Sequence, residues 1–167
     1  MTQVSISDVS NRKKTGLKGP NAVAWLSSNG IEVPAKPNTW ARLPGNALIG
    51  RLGEMEFFIE EGPAAKVETQ LREPSRGVYA VPRQDTCFAL SGSGIQEVLL
   101  QTCSIDFRSQ SGGGRLFLTS MVGVPVLVIP EERDDEPTIR IWADPTFGPY
   151  LWRTLSGIVQ ELTGGRK

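Results

Sequence analysis

Residues 79–106 read YAVPRQDTCFALSGSGIQEVLLQTCSID, and the rest of the chain takes its bearings from them. Asp85 to Leu90 reads as a strand and Ser91-Gly92-Ser93-Gly94 as a turn. Ile95, Val98 and Leu99 then fall at helical spacing. The same order occurs earlier. Thr15-Gly16-Leu17-Lys18-Gly19-Pro20 leads into Ala22, Trp25 and Leu26, each 73 residues ahead of Ile95, Val98 and Leu99. A strand, a glycine turn and a helix of one apolar register therefore appear twice.

The second half of each unit repeats more loosely. After the first helix come Ala47-Leu48-Ile49 and Glu56-Phe57-Phe58-Ile59, then Pro63 and a helix carrying Ala64, Val67 and Leu71. After the second helix come Leu116-Phe117-Leu118, Val126-Leu127-Val128-Ile129 and Thr138-Ile139-Arg140-Ile141-Trp142. A helix opened by Pro145 follows, with Leu151 and Leu155 each 84 residues after Val67 and Leu71. The charged insert Glu131-Glu-Arg-Asp-Asp-Glu136 absorbs the change of offset. These features predict a two-fold internal repeat, about 8–73 and 78–162, within a single α+β domain spanning 1–167. Its sheets are expected to be mostly antiparallel.

Composition narrows the function classes. The chain has 167 residues, enough for one solid core, and 18 basic residues balance 18 acidic ones. No net field steers it toward nucleic acid or an anionic membrane. The basic run Arg12-Lys13-Lys14 is expected to be a solvated strand edge. No apolar run reaches the roughly 18 residues of a membrane span, and MTQVSISDVS has no signal-peptide pattern, so the expected compartment is the cytoplasm. Histidine is absent, which excludes His-containing zinc sites and every His-dependent catalytic triad. Cys87 and Cys103, flanked by apolar residues, read as small hydrophobes. Neither Ser91-Gly-Ser-Gly94 nor Gly112-Gly-Gly114 has phosphate-loop spacing, and both read as turns. No metal site is expected.

Along the chain, Val4 and Ile6 alternate with serines as a first short strand, and Lys14–Lys18 forms another with Leu17 inward. Pro20 opens a helix that Asn29-Gly30 closes. Pro44-Gly45-Asn46 suggests a hairpin, and Gly123 with Pro125 marks a turn, bulge or edge. Arg108 to Gly114 reads as a flexible loop. Asp144 caps the last helix.

Candidate site residues are few. Asp8, Asp85 and Asp106 stand at element boundaries, where capping is the expected role. Arg42, Arg51, Arg83 and Arg108 are candidates for contact with a ligand or partner carboxylate. Tyr79, Trp142 and Trp152 are candidate interface aromatics. In the last helix Phe147, Leu151, Leu155, Ile158 and Leu162 form the inward stripe, which leaves Tyr150 and Trp152 outside it. Trp142 alternates away from Ile139 and Ile141. Arg140, Trp142, Tyr150, Trp152 and Arg153 are thus expected to form a face that binds a larger protein. The alternative is that both sheet faces are covered within the chain and Trp142 is buried. No convincing nucleophile–base pair appears, so no catalytic residue is assigned.

An ordered set of short segments also resembles a known family. Asp8-Val9-Ser10, Gly16-Leu17-Lys18-Gly19-Pro20-Asn21-Ala22 and Arg51-Leu52-Gly53-Glu54-Met55-Glu56-Phe57 carry it in the first half. Leu90-Ser-Gly92, Leu99-Leu100, Cys103-Ser-Ile-Asp106, Leu118-Thr119 and Pro145-Thr-Phe-Gly-Pro-Tyr-Leu-Trp152 carry it in the second. From about Asp8 to Leu155 the chain resembles the gamma subunit of heterotetrameric sarcosine oxidase. That family lies within the aminomethyltransferase-like, folate-binding superfamily that includes the glycine cleavage T-protein. The resemblance implies a duplicated folate-binding-type domain of ferredoxin-like character. It further implies a noncatalytic partner of larger alpha and beta oxidase subunits. Those subunits would carry FAD, FMN and NAD and demethylate sarcosine with tetrahydrofolate as one-carbon acceptor. Two departures matter. The chain is far shorter than an aminomethyltransferase, and the carboxylate that those enzymes direct at folate has no secure match. A stand-alone tetrahydrofolate-binding or aminomethyltransferase-like one-carbon protein is the alternative reading.

Overall fold

The computed structural model describes residues 3–107, 114–133 and 136–164. Along them run β1 (Ser5–Asp8), β2 (Lys14–Lys18), α1 (Ala22–Ser28), β3 (Thr39–Leu43), β4 (Ala47–Gly53), β5 (Glu56–Glu60) and α2 (Ala64–Gln70). Then come β6 (Tyr79–Val81), β7 (Thr86–Ser91), α3 (Ile95–Thr102), β8 (Phe117–Met121), β9 (Val124–Arg133), β10 (Glu136–Ala143) and α4 (Gly148–Thr163). A 3-10 turn, Pro145–Phe147, leads into α4. The architecture is α+β, with two five-stranded sheets of antiparallel pairs. The chain divides into two units, Asn11–Gln84 and Met1–Ser10 with Asp85–Lys167.

In the first unit the strand order is β3-β4-β5-β2-β6. Alternation along β5 sends Phe57 and Ile59 toward α1 and α2, where they join Leu17, Leu26, Ile49 and Val67 in one apolar cluster. Phe58 and Glu60 alternate to the other face and are also buried. Of the basic run only Lys14 lies within β2, where it pairs with Glu60 of β5, while Arg12 is half-buried and Lys13 exposed. Lys14 is buried and its Nζ donates to the Arg12 carbonyl at 2.8 Å. Arg12 Nε lies 2.8 Å from Glu60 Oε1, and Lys13 pairs with Glu68. Lys14 alone of the three is withdrawn from solvent, and a backbone carbonyl holds its charge.

In the second unit the order β8-β9-β10-β7-β1 traces the same path, with α3 and α4 where the first unit has α1 and α2. Phe88, Leu90, Val126, Val128, Ile139 and Ile141 meet Val98, Leu99, Leu151 and Leu155 in its core. Two features differ from the sequence reading. Tyr79 to Val81 belongs to the first unit as β6, paired with β2, while β1 completes the second by pairing with β7. The charged insert is the end of the β9–β10 hairpin, with Arg133 opposite Glu136. Asp134 and Asp135 lie outside the described residues, as does the Arg108–Gly114 loop up to residue 113.

The 73-residue offset persists at the backbone. Gly19 has φ +133° and Gly92 has φ +114°, conformations closed to most side chains. A Cβ on Gly19 would lie 2.3 Å from the Gly77 carbonyl oxygen, and one on Gly92 would lie 2.4 Å from that of Gln3. Those two carbonyls accept the N–H of Asn21 (3.0 Å) and Gly94 (2.9 Å), the residues just before α1 and α3. Each unit thus ties the start of its first helix to the approach of its outermost strand, β6 or β1. Among the described residues no helix is long and apolar enough to cross a membrane.

Candidate functional site

The sheet face opposite α3 and α4 holds the first group of candidates. Alternation along β10 puts Thr138, Arg140 and Trp142 on that face, away from Ile139 and Ile141. All three are buried, Arg140 and Trp142 at 2% exposure, so neither belongs to an exposed face of the folded chain. The covered sheet corrects the expectation that they join Tyr150 and Trp152. Arg140 Nε donates to Glu131 Oε1 on β9, and its guanidinium stacks 5.3 Å from the Trp142 ring centre. Glu131 lies opposite Thr138 across the hairpin, two residues from Arg140 on one face. A buried Arg–Glu pair costs about 3–5 kcal/mol to break from one side, which marks it as structural.

The second group sits on α4. Leu151, Leu155 and Val159 point inward, while Tyr150 is 50% exposed, Trp152 36%, and Arg153 exposed. Phe147 departs from its expected place in the stripe. It ends the 3-10 turn, out of phase with α4, and is 41% exposed. Asp144 caps this turn, its Oδ1 accepting from the Thr146 N–H (2.8 Å) and hydroxyl (2.6 Å). Those two bonds hold its carboxyl below the usual carboxylate range. The exposed aromatics are anchored. Tyr150 donates its hydroxyl to the Val122 carbonyl at 3.1 Å, and Trp152 packs on Phe88 at 5.2 Å. Their positions are therefore largely set before any partner arrives.

Of the remaining candidates, Arg51, Arg42, Arg83 and Asp8 make contacts within the chain. Arg51 donates to the carbonyls of Pro34, Ala35 and Glu54 at 3.1, 3.0 and 2.7 Å, fastening the link before β3. Arg42 stacks on Trp40, and Arg83 on Phe58, each at 5.5 Å. Arg108 lies outside the described residues. Asp8 accepts the Ser10 N–H at 2.9 Å, a local turn. Tyr79 is exposed on β6, Cys87 is buried and Cys103 half-buried. Among the described residues no group of three or more Cys, Asp or Glu side chains could hold a metal ion.

The second unit also contains a cavity of about 300 Å³, lined by Ile95, Phe107, Ile139, Pro130 and Pro137 with Ser93, Gln96, Thr138 and Glu131 as its polar groups. Among the described residues no lysine or arginine lines it.

No protein-family model matches the chain, and no curated protein does. Solved structures do. One chain of the heterotetrameric sarcosine oxidase from Corynebacterium sp. U-96, solved with pyrrole 2-carboxylate, matches with a TM-score of 0.79 at 22% identity. The match covers 98% of this chain and 87% of that one. Aminomethyltransferase T of the glycine cleavage system from Bartonella henselae matches with a TM-score of 0.67 at 17% identity. It covers 93% of this chain but only 46% of that one.

Proposed function

We propose that a chain with the fold of both a sarcosine oxidase heterotetramer chain and aminomethyltransferase T is the noncatalytic gamma-type subunit of a sarcosine oxidase-like complex. Larger subunits, with FAD, FMN and NAD, would carry out the oxidative demethylation of sarcosine. The observation that carries this reading is the extent of the first likeness. It uses nearly the whole of both chains, whereas less than half of the aminomethyltransferase is matched. On the same reading the two units, with one strand order and one helix-start geometry, are copies of a single duplicated ancestor. The docking face is the exposed start of α4, with Phe147, Tyr150, Trp152 and Arg153. Anchored aromatics lose little freedom on binding, and an arginine at their rim suits a protein interface.

Co-expression with large flavoprotein subunits from the native organism tests this, read by gel filtration and sarcosine-dependent demethylation. The expected result is co-elution, with no turnover by this chain alone in the presence of flavin, NAD and tetrahydrofolate. Demethylation by the rigorously purified chain would overturn the noncatalytic role, and a persistently free monomer would overturn the subunit role. The alternative, a stand-alone tetrahydrofolate-binding or aminomethyltransferase-like one-carbon protein, is supported by the second fold likeness. It ranks below because the match covers less than half of that enzyme's chain.

A further inference from the structure

We propose that the outer edge of β3 is a self-association site, where a second copy of this chain pairs strand to strand about a two-fold axis at Ala41. The two sheets end in β1, β8, β3 and β6. β1 and β6 have only four and three residues, and β8 is bridged by Cys103 at Met121. β3, Thr39-Trp40-Ala41-Arg42-Leu43, pairs with β4, and among the described residues no strand or bridge meets its other edge. None of its residues is fully buried, and it contains neither a proline nor a bulge to blunt the edge.

The sequence of that edge is complementary to itself. Ala41 and Leu43 pack against the apolar cluster of the first unit, so alternation sends Trp40 and Arg42 to the opposite face. There the Arg42 guanidinium lies 5.5 Å from the Trp40 ring centre. In an antiparallel pair centred on Ala41, Trp40 stands opposite Arg42 of the second copy, and Arg42 opposite its Trp40. Thr39 meets Leu43 in the same way, and the two Ala41 methyls meet at the axis. Each arginine therefore gains an aromatic face, and no charge meets its like. The slipped register that sets Arg42 opposite Arg42 is disfavoured by repulsion. Two five-residue edges fall short of the roughly 1,200 Å² that stable complexes bury, so the dimer is weak and reversible. The pairing uses the first unit alone and none of the α4 residues assigned to larger subunits.

Sedimentation of the full chain, from about 10 μM to about 1 mM, is expected to show reversible dimerisation. Arg42→Glu, at an exposed position, should weaken the dimer about fivefold or more by removing both arginine–indole contacts between the copies. Oxidative cross-linking reads the register. Ala41→Cys brings two thiols together across the axis, with Cα atoms about 5 Å apart and within reach of a disulfide. Arg42→Cys leaves its two Cα atoms about 8 Å apart, beyond the roughly 7 Å that a disulfide spans. Peptide mapping is therefore expected to find a bridge between the two copies of position 41 and none between those of position 42. A chain that stays monomeric up to about 1 mM would overturn the proposal. So would dimerisation untouched by a folded Arg42→Glu variant, or cross-linking as fast at position 42 as at position 41.

Discussion

Gly19 and Gly92 show how much one residue decides. Each combines a left-handed φ with a backbone carbonyl where a Cβ would stand, so neither strain nor clash is relieved by a rotamer change. Gly19→Ala and Gly92→Ala are each expected to cost about 2 kcal/mol or more. Gly123 also has positive φ but open space around it, so Gly123→Ala should cost less. Urea melts of the three variants check the ranking. Asp144 gives a pH-dependent counterpart. Its folded carboxyl is held below its unfolded value, so its contribution is present above the unfolded pKa of about 3.9. That contribution is lost as pH falls through the depressed folded value. Asp144→Ala should therefore melt below the native chain at pH 7, with the gap closing in the acid range. Asp144→Asn, still a good cap, should show little gap at either pH.

At the scale of elements, α1 separates what periodicity shows from what it hides. Ala22, Trp25 and Leu26 have the register of a buried stripe, yet Leu26 is fully buried and Trp25 only partly. A seven-residue helix has too few turns to bury a broad stripe, and the large indole sits at its margin. Leu26→Ala should cost about 2–5 kcal/mol, and Trp25→Ala less than the roughly 3–5 kcal/mol of a fully buried aromatic. Denaturant unfolding of both variants measures the difference. β1 is the second case. Ser5 to Asp8 pairs only with β7, so removing residues 1–8 would leave β7 an open edge and uncover Phe88 and Leu90. Hydrogen exchange is expected to speed up throughout β7 and β10 in that truncated chain and to change little in β4 and β5.

For the whole molecule, assembly is the property to test. On the proposed subunit role, Trp152→Ala and Tyr150→Ala should each weaken association with larger subunits by about 2 kcal/mol or more. Arg140→Ala should instead destabilise the chain itself, because it strands Glu131 in a buried site. Co-elution under dilution, set beside thermal melts, separates the two effects. Unchanged assembly in both aromatic variants would remove α4 from the interface. By itself the sequence determined the Pro44–Asn46 hairpin, the helix starts and the paired register of α1 and α3. Those follow from glycine, proline and apolar spacing, which act on neighbours a few residues away. It also put Tyr150 and Trp152 on the surface, because a helix fixes each side chain's direction relative to its own stripe. Only the tertiary structure decided that β1 joins the second unit across the whole of the first, and that β6 belongs to the first. Only it placed Lys14 in a central strand, and Arg140 and Trp142 inside. Alternation says which sheet face a residue takes, but whether that face is covered depends on chain segments far away in sequence, which no local pattern records.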